Sequence, residues 1–360
     1  MSERISDVEV VAPNFKRQLS GVTSTIVQLI PLQRQLGLGI ATLGPGLPDG
    51  LPKFGWSSLP QLWQRPKRRA HRIWHARRNN EMVAGVIMRD LLRMPLRLVF
   101  TSAAQRNHKP FTKWLIRRMD AVIATSARSG SYLEVPHTVV MHGVDTKRFH
   151  PPQTAEDEFT ASGLPGRYAI GCFGRVRHQK GTDLFVEAMI ALLPDYPEWT
   201  AIITGRTTAE HKSFENDLKA RIAEAGLADR ILFLGEVPDI KVWYRRLSLY
   251  VAPSRNEGFG LTPLEAMASR TAVVASDAGA YAEMIEPGRT GAVVTAGDGA
   301  ALQEAIRRYL ADPDLAAIHG KNGLAHVREH FPLEKEAAAI TAVYEQVFAS
   351  GGRTMVGNAS

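Results

Sequence analysis

The chain has 360 residues, more than one compact α/β domain takes up and enough for two of very roughly 150 residues each. Hydrophobic residues make up 44% and charged residues 22%, ordinary globular usage that excludes a disordered, collagen-like or disulfide-scaffold chain. The net charge of +8 is unevenly spread: residues 1–155 hold 23 Lys/Arg against 9 Asp/Glu, or +14, whereas residues 156–360 hold 21 against 27, or −6. The single Cys172 can form no internal disulfide. The start MSERISDVEVV has acidic residues and no apolar stretch behind a basic one, so it does not read as a secretory signal. No apolar run reaches the roughly 18–20 residues of a spanning helix. These features point to a cytoplasmic protein, with peripheral attachment to the inner membrane left open.

In chain order, the first half offers strands at Val8–Ala12, Leu38–Thr42, Leu96–Thr101, Ala121–Thr125 and Thr138–Met141. Helical periodicity lies between them at Val22–Leu36 and Met82–Arg93, and the proline-rich stretch 45–66 reads as a long loop. The second half offers strands at Tyr168–Phe173, Thr200–Thr204, Ile231–Leu234, Leu249–Ala252, Ala272–Ser276 and Gly291–Val294. Helices are expected at Asp183–Leu193, Glu210–Ala225, Pro263–Ala268, Gly299–Leu310 and Leu333–Phe348. Strand and helix alternate twice over, which predicts an α/β protein of two Rossmann-like domains, each a parallel sheet covered by helices. The boundary is expected in HPPQTAEDEFTASGLPG, giving domains 1–155 and 156–332. Residues 333–349 then form a C-terminal helix packing back across the domains, and 350–360 a disordered tail.

Ligands of such sheets sit beyond the carboxyl ends of the strands, so chemistry is sought in the turns that follow them. In CFGRVRHQKG, residues 172–181, Gly174 permits a tight turn, and Arg175 and Lys180 form a cation pair suited to a diphosphate or simply to solvent. In RNEGFGLTPLEAMA, residues 255–268, the turn Gly258-Phe259-Gly260-Leu261 can turn several N–H groups toward an anion. Glu257 can accept from sugar hydroxyls. Glu265 can reach a ribose diol, although Thr262-Pro263-Leu264-Glu265 also reads as a capping box with proline at N1. Gly21, between a strand and a helix, can admit a substrate to the backbone or only make a turn.

The run RPKRRAHRIWHARR, residues 65–78, holds seven Lys/Arg and two His around Ile73 and Trp74. It suits an anionic lipid surface, RNA phosphate or merely a solvated face; stacking on RNA asks for more aromatics, which ranks nucleic acid as an unlikely partner. None of the eleven histidines falls at a metal-ligand spacing, and neither GxSxG nor a Walker-type loop is present. No metal and no other cofactor is therefore expected.

Together CFGRVRHQKG, EGFGLTPLE, HGVDTKRF (142–149), GAYAEMI (279–285) and GRTGAVV (288–294) resemble the retaining glycosyltransferases of family four, with the GT-B fold of two facing domains. The resemblance implies that Arg175 and Lys180 hold the donor diphosphate, Glu257 the donor sugar and Glu265 the nucleotide ribose. Gly205 and Val237 would lie near the nucleoside, and Gly21 would face the donor phosphate or the acceptor. Many family members carry a histidine at the end of a middle strand of the first domain. Here LRLVFTSAAQRNH (96–108) has Thr101-Ser102 at that place, so His108, or else His75, is the candidate catalytic replacement.

RIWHARRNNEMVAG and VFTSAAQRNH further resemble lipopolysaccharide core mannosyltransferases. That implies GDP-mannose as donor and an acceptor at the inner core, the 3-deoxy-octulosonic acid linked to lipid A, at the cytoplasmic membrane face. The alternatives kept open are a UDP-sugar donor with an exopolysaccharide acceptor, and a non-catalytic RNA- or membrane-binding protein using residues 65–78.

Overall fold

A computed structural model describes residues 4–16 and 21–350. The chain divides into two compact units, Met1–His142 joined by Leu333–Ser360, and Gly143–Pro332. The first unit's strands are β1 (Val10–Pro13), β2 (Ile40–Leu43), β3 (Arg72–Ala76), β4 (Leu96–Ser102), β5 (Ala121–Ala124) and β6 (Thr138–Val139), in the spatial order β2-β1-β3-β4-β5-β6. Those of the second are β7 (Tyr168–Phe173), β8 (Trp199–Thr204), β9 (Ile231–Gly235), β10 (Leu249–Ala252), β11 (Ala272–Ser276) and β12 (Gly291–Val294), in the order β12-β11-β10-β7-β8-β9. Every strand pairing is parallel.

Parallel strands buried on both faces read as short, nearly continuous apolar runs, which is why most of them were legible. Alternate residues serve opposite faces. In the first unit Val10, Ala12, Ile73, Val99 and Ile123 meet the helices Gly21–Gln35 and Leu333–Ala349. Val11, Trp74, Leu98, Phe100 and Val122 meet Met82, Leu115 and Ile116 on the other side. In the second unit Ile170, Ile203, Val251 and Val274 share a core with Phe185, Met189, Leu218 and Ile222.

Several expectations need correction. The division falls at 142/143 rather than 155/156, because Gly143–His150 is bound into the second unit: Val144 N–H donates to the Phe331 carbonyl at 2.9 Å and Phe149 packs edge-on against Tyr244. The C-terminal helix, expected to pack back across the domains, belongs to the first unit, where Ile340, Val343 and Tyr344 complete the core. The charged run hid β3, an interior strand that carries Arg72 and His75, and the helix Pro313–His330 was not anticipated. Stretch 45–66 contains a short 3-10 helix, Trp56–Trp63. The expected tail, beyond Ser350, lies outside the described residues.

Candidate functional site

In the second sheet the chain passes β7, β8 and β9 in one direction and then crosses back to lay β10 beside β7. At such a switch point the loops leaving neighbouring strands diverge and open a crevice at their carboxyl ends. Most of the expected donor-site residues stand at these strand ends. Gly174 and Arg175 follow β7, Gly205 follows β8, Val237 follows β9, and Glu257 to Leu261 follow β10. Gly205 has φ +134°, and a Cβ there would strike the Gly174 backbone, so the ends of β7 and β8 approach as only glycine permits. Gly260, at φ +84°, is closed to any other residue by the Tyr281 ring. Arg255 pins the two principal loops: its Nη1 and Nη2 donate to Asp183 Oδ1 and Oδ2, both at 2.7 Å, and its backbone N–H to the Gln179 carbonyl at 2.9 Å.

Lys180 is not free: its ammonium pairs with Glu257 Oε2 across the gap between the loops. Tyr281 Oη lies 3.5 Å from the same oxygen. Arg175 is exposed, and its guanidinium has no hydrogen-bond or ion-pair partner among the described residues. Gly174, Arg175, Lys180, Thr262 and Tyr281 line one small pocket. A cation held in reserve beside a carboxylate-bridged one is what an incoming diphosphate can engage.

Glu265 does not act as a helix cap. The helix Thr262–Ala268 has no side-chain cap at Leu261, so the capping box does not form. Instead Glu265 Oε2 accepts a 2.9 Å hydrogen bond from the buried Tyr244 hydroxyl. Burial pushes the Glu265 carboxyl up, against the Tyr244 hydrogen bond and the charges of Arg148 and Lys180. Burial also raises the Tyr244 phenol, with Glu265 adding to it, so the tyrosine stays a donor. Tyr244, Tyr250 and Tyr281, each about 1% exposed, form a phenolic floor that spacing did not reveal. Tyr281 lies in GAYAEMI, and that motif was the one available signal for it.

The first unit gathers its own polar cluster at the corresponding switch point, where the loops leaving β1 and β3 part. Fully buried Glu81 is its hub. Oε2 accepts from the Arg77 backbone N–H at 2.8 Å, and Oε1 from Arg78 Nη1 at 2.7 Å and the Phe15 N–H at 3.4 Å. Arg78 Nη1 also reaches Asn14 Oδ1 at 2.9 Å. Sequence reasoning missed this hub, because a lone Glu in a basic stretch carries no pattern. Gly21 opens the helix Gly21–Gln35 just past this loop.

His75 is not available as a reacting group. Fully buried, it contacts Tyr344 Oη at 2.5 Å through Nδ1 and Thr101 Oγ1 at 2.7 Å through Nε2, and burial holds it neutral. His108, half-buried in the loop after β4, lies 3.4 Å from Ser102 Oγ, its basicity lowered by burial and then by Arg106 and Lys113.

The run 65–78 is not a single charged face. Arg72 is buried and donates to the carbonyls of Val8, Ile5, Leu62 and Gln64 at 2.8–3.3 Å, and burial pulls it down to about 10. Lys67 pairs with Asp7, Arg69 with Glu9 and Glu345, and Arg78 with Glu81.

Residues 155–326 match the family of glycosyl transferases group 1. Over 95% of its length the chain is 71% identical to the lipopolysaccharide core biosynthesis mannosyltransferase LpcC of Rhizobium leguminosarum bv. viciae, covering 97% of that protein. It is 57% identical to the lipopolysaccharide core biosynthesis mannosyltransferase LpsB of Rhizobium meliloti strain 1021, over 95% of this chain and 99% of that one. A glycosyltransferase crystal structure from Rickettsia africae ESF-5 shares the fold with a TM-score of 0.81 at 18% identity, over 96% of this chain and 99% of that one. The chain belongs to the group 1 glycosyltransferases, and its fold is GT-B.

Proposed function

We propose that this glycosyltransferase moves mannose from GDP-mannose onto the inner core of a lipopolysaccharide precursor, with retention at the anomeric carbon, at the cytoplasmic face of the membrane. The donor and acceptor rest on one observation, the 71% identity along nearly the whole chain to a lipopolysaccharide core mannosyltransferase. The reaction class is supported by the strand-end cluster of Arg175, Lys180 and Glu257. The bond from the anomeric carbon to the diphosphate oxygen breaks, an acceptor hydroxyl oxygen takes its place at that carbon, and GDP and a proton leave.

Negative charge develops on the departing diphosphate. Arg175 and Lys180 balance it in place of a metal ion, aided by N–H groups of the turn 258–261. Binding of the diphosphate draws Lys180 away from Glu257, which frees that carboxylate for the hydroxyls of the donor sugar. Glu265, held by Tyr244, accepts from the ribose, with Gly205 and Val237 beside the nucleoside. Gly21 and His108 are assigned to the sugar-phosphate and acceptor side. The docking role of residues 65–78 loses part of its support, because Arg72 and His75 are buried and three of the other six cations, Lys67, Arg69 and Arg78, are paired.

The test is incubation of the purified protein with GDP-mannose, other GDP-sugars and UDP-sugars, each with a defined 3-deoxy-octulosonic acid–lipid A acceptor, followed by mass spectrometry. A gain of one hexose from GDP-mannose alone supports the proposal. Transfer from a UDP-sugar, or to an exopolysaccharide fragment in preference, overturns it. So does conversion of the donor with no acceptor present.

A further inference from the structure

Nine of the ten exposed large hydrophobics among the described residues lie in the first unit. Two of them stack on one another. Phe111 and Trp114, 58% and 43% exposed, sit on the helix Pro110–Ile116 with ring centroids 5.9 Å apart and planes 13° apart. The buried side of that helix is taken up by Thr112, Leu115 and Ile116, so nothing in its own fold requires the two rings.

Their surroundings are basic. Between Arg106 and Met119 there are five Lys/Arg and no Asp/Glu. Lys113 and Arg117 share one carboxylate, that of Glu134, at 2.5 and 3.1 Å, and Arg118 lies over the Trp114 ring at 3.8 Å. Arg106 and Lys109 are exposed. Stacked aromatics ringed by cations are the chemistry of the lipid–water interface, where rings enter the headgroup zone and Lys/Arg meet anionic lipid.

We propose that Phe111 and Trp114, with Lys109, Arg117 and Arg118, dock this protein on an anionic lipid surface. The inference rests on the lipid-linked acceptor proposed above. The helix follows directly from the loop that carries His108 beyond β4, the strand that ends at Ser102, so docking brings the carboxyl end of that strand to the membrane, where such an acceptor resides.

The experiment is co-sedimentation of the full chain with phosphatidylglycerol/phosphatidylethanolamine vesicles and with phosphatidylcholine vesicles. Wild type is expected on the anionic vesicles only. Phe111→Ser with Trp114→Ser, and separately Lys109→Glu with Arg117→Glu, should each lower binding about tenfold or more, since each cation near such a surface contributes about fivefold. Both variants should keep the wild-type melting temperature and the wild-type rate on a water-soluble core oligosaccharide acceptor. Equal vesicle binding by wild type and variants overturns the proposal, as does no binding at all. RNA binding with the same sensitivity, or a dimer that only the serine variant breaks in sedimentation velocity, overturns it in favour of that partner. Loss of transfer by wild type to the soluble acceptor counts against the functional reading and leaves vesicle binding to be judged separately.

Discussion

Two basic stretches, residues 65–78 and 172–181, look alike in composition and differ in what their cations touch. Arg72 lies inside β3, surrounded by backbone carbonyls, and its neighbours Lys67, Arg69 and Arg78 neutralise carboxylates of the same unit. Arg175 stands one residue past the glycine that ends β7, with its charge turned to solvent and no partner among the described residues. Position relative to a strand separates the two. Arg72, inside a parallel strand, is absorbed by the fold, and Arg175, just beyond the carboxyl end of one, is open to a ligand. Of the seven cations in the richer stretch, four are taken up by their own unit: Arg72 by carbonyls, and Lys67, Arg69 and Arg78 by carboxylates.

That contrast can be broken by experiment. The largest effect is expected from Arg175→Ala combined with Lys180→Ala, a loss of about 10³-fold or more in transfer with the urea midpoint nearly unchanged, as for loss of donors aimed at developing charge. Wild-type turnover in this variant would end the diphosphate assignment. Arg72→Leu should do the reverse in kind, costing several kcal/mol of stability, at about 1–3 for each carbonyl left dry, and is read by urea denaturation. Glu265→Gln should weaken donor binding about tenfold, measured by calorimetry with GDP. Because burial raises the Glu265 carboxyl, the folded state holds a proton that the unfolded chain releases, and stability falls as pH rises through that interval. The glutamine variant should lack that fall.

The smallest expected effect is at His75. Its basicity is held well below the ordinary imidazole value of about 6.5, so below that pH the unfolded chain takes up a proton the fold refuses. Stability should therefore erode on acidification, and less steeply in His75→Gln. An unaltered slope between pH 7.5 and 5 would show that His75 is less enclosed than its contacts with Tyr344 and Thr101 indicate.

Much of this was legible in the sequence because parallel strands advertise themselves. Tyr168–Phe173, Leu249–Ala252, Ala272–Ser276 and Gly291–Val294 match their predicted bounds. β3 was missed because Arg72 and His75 look like surface residues until partners elsewhere in the chain, the Ile5 and Val8 carbonyls and the Tyr344 hydroxyl, are seen to satisfy them. The glycines and charges of the second unit were readable because local turns demand them. The Glu81 hub and the tyrosine floor depend on contacts between distant segments, such as Tyr244 with Glu265, and leave no local trace. Glu265 itself was ambiguous for a physical reason: one spacing serves a helix cap and a ligand contact, and its actual partner, the Tyr244 hydroxyl, comes from a distant segment.

The helix Leu333–Ala349 makes closure of the first unit wait for the last part of synthesis. Its residues Leu333, Ala337, Ile340, Val343 and Tyr344 cover the same face of the first sheet as Ile26 and Ile30. On the ribosome the unit begun first is therefore the last to be closed. Its apolar face waits uncovered while all of Gly143–Pro332 is made, and that continuous segment can close on itself meanwhile. A chain stopped after Pro332 would release a finished second unit attached to a first one still missing its lid.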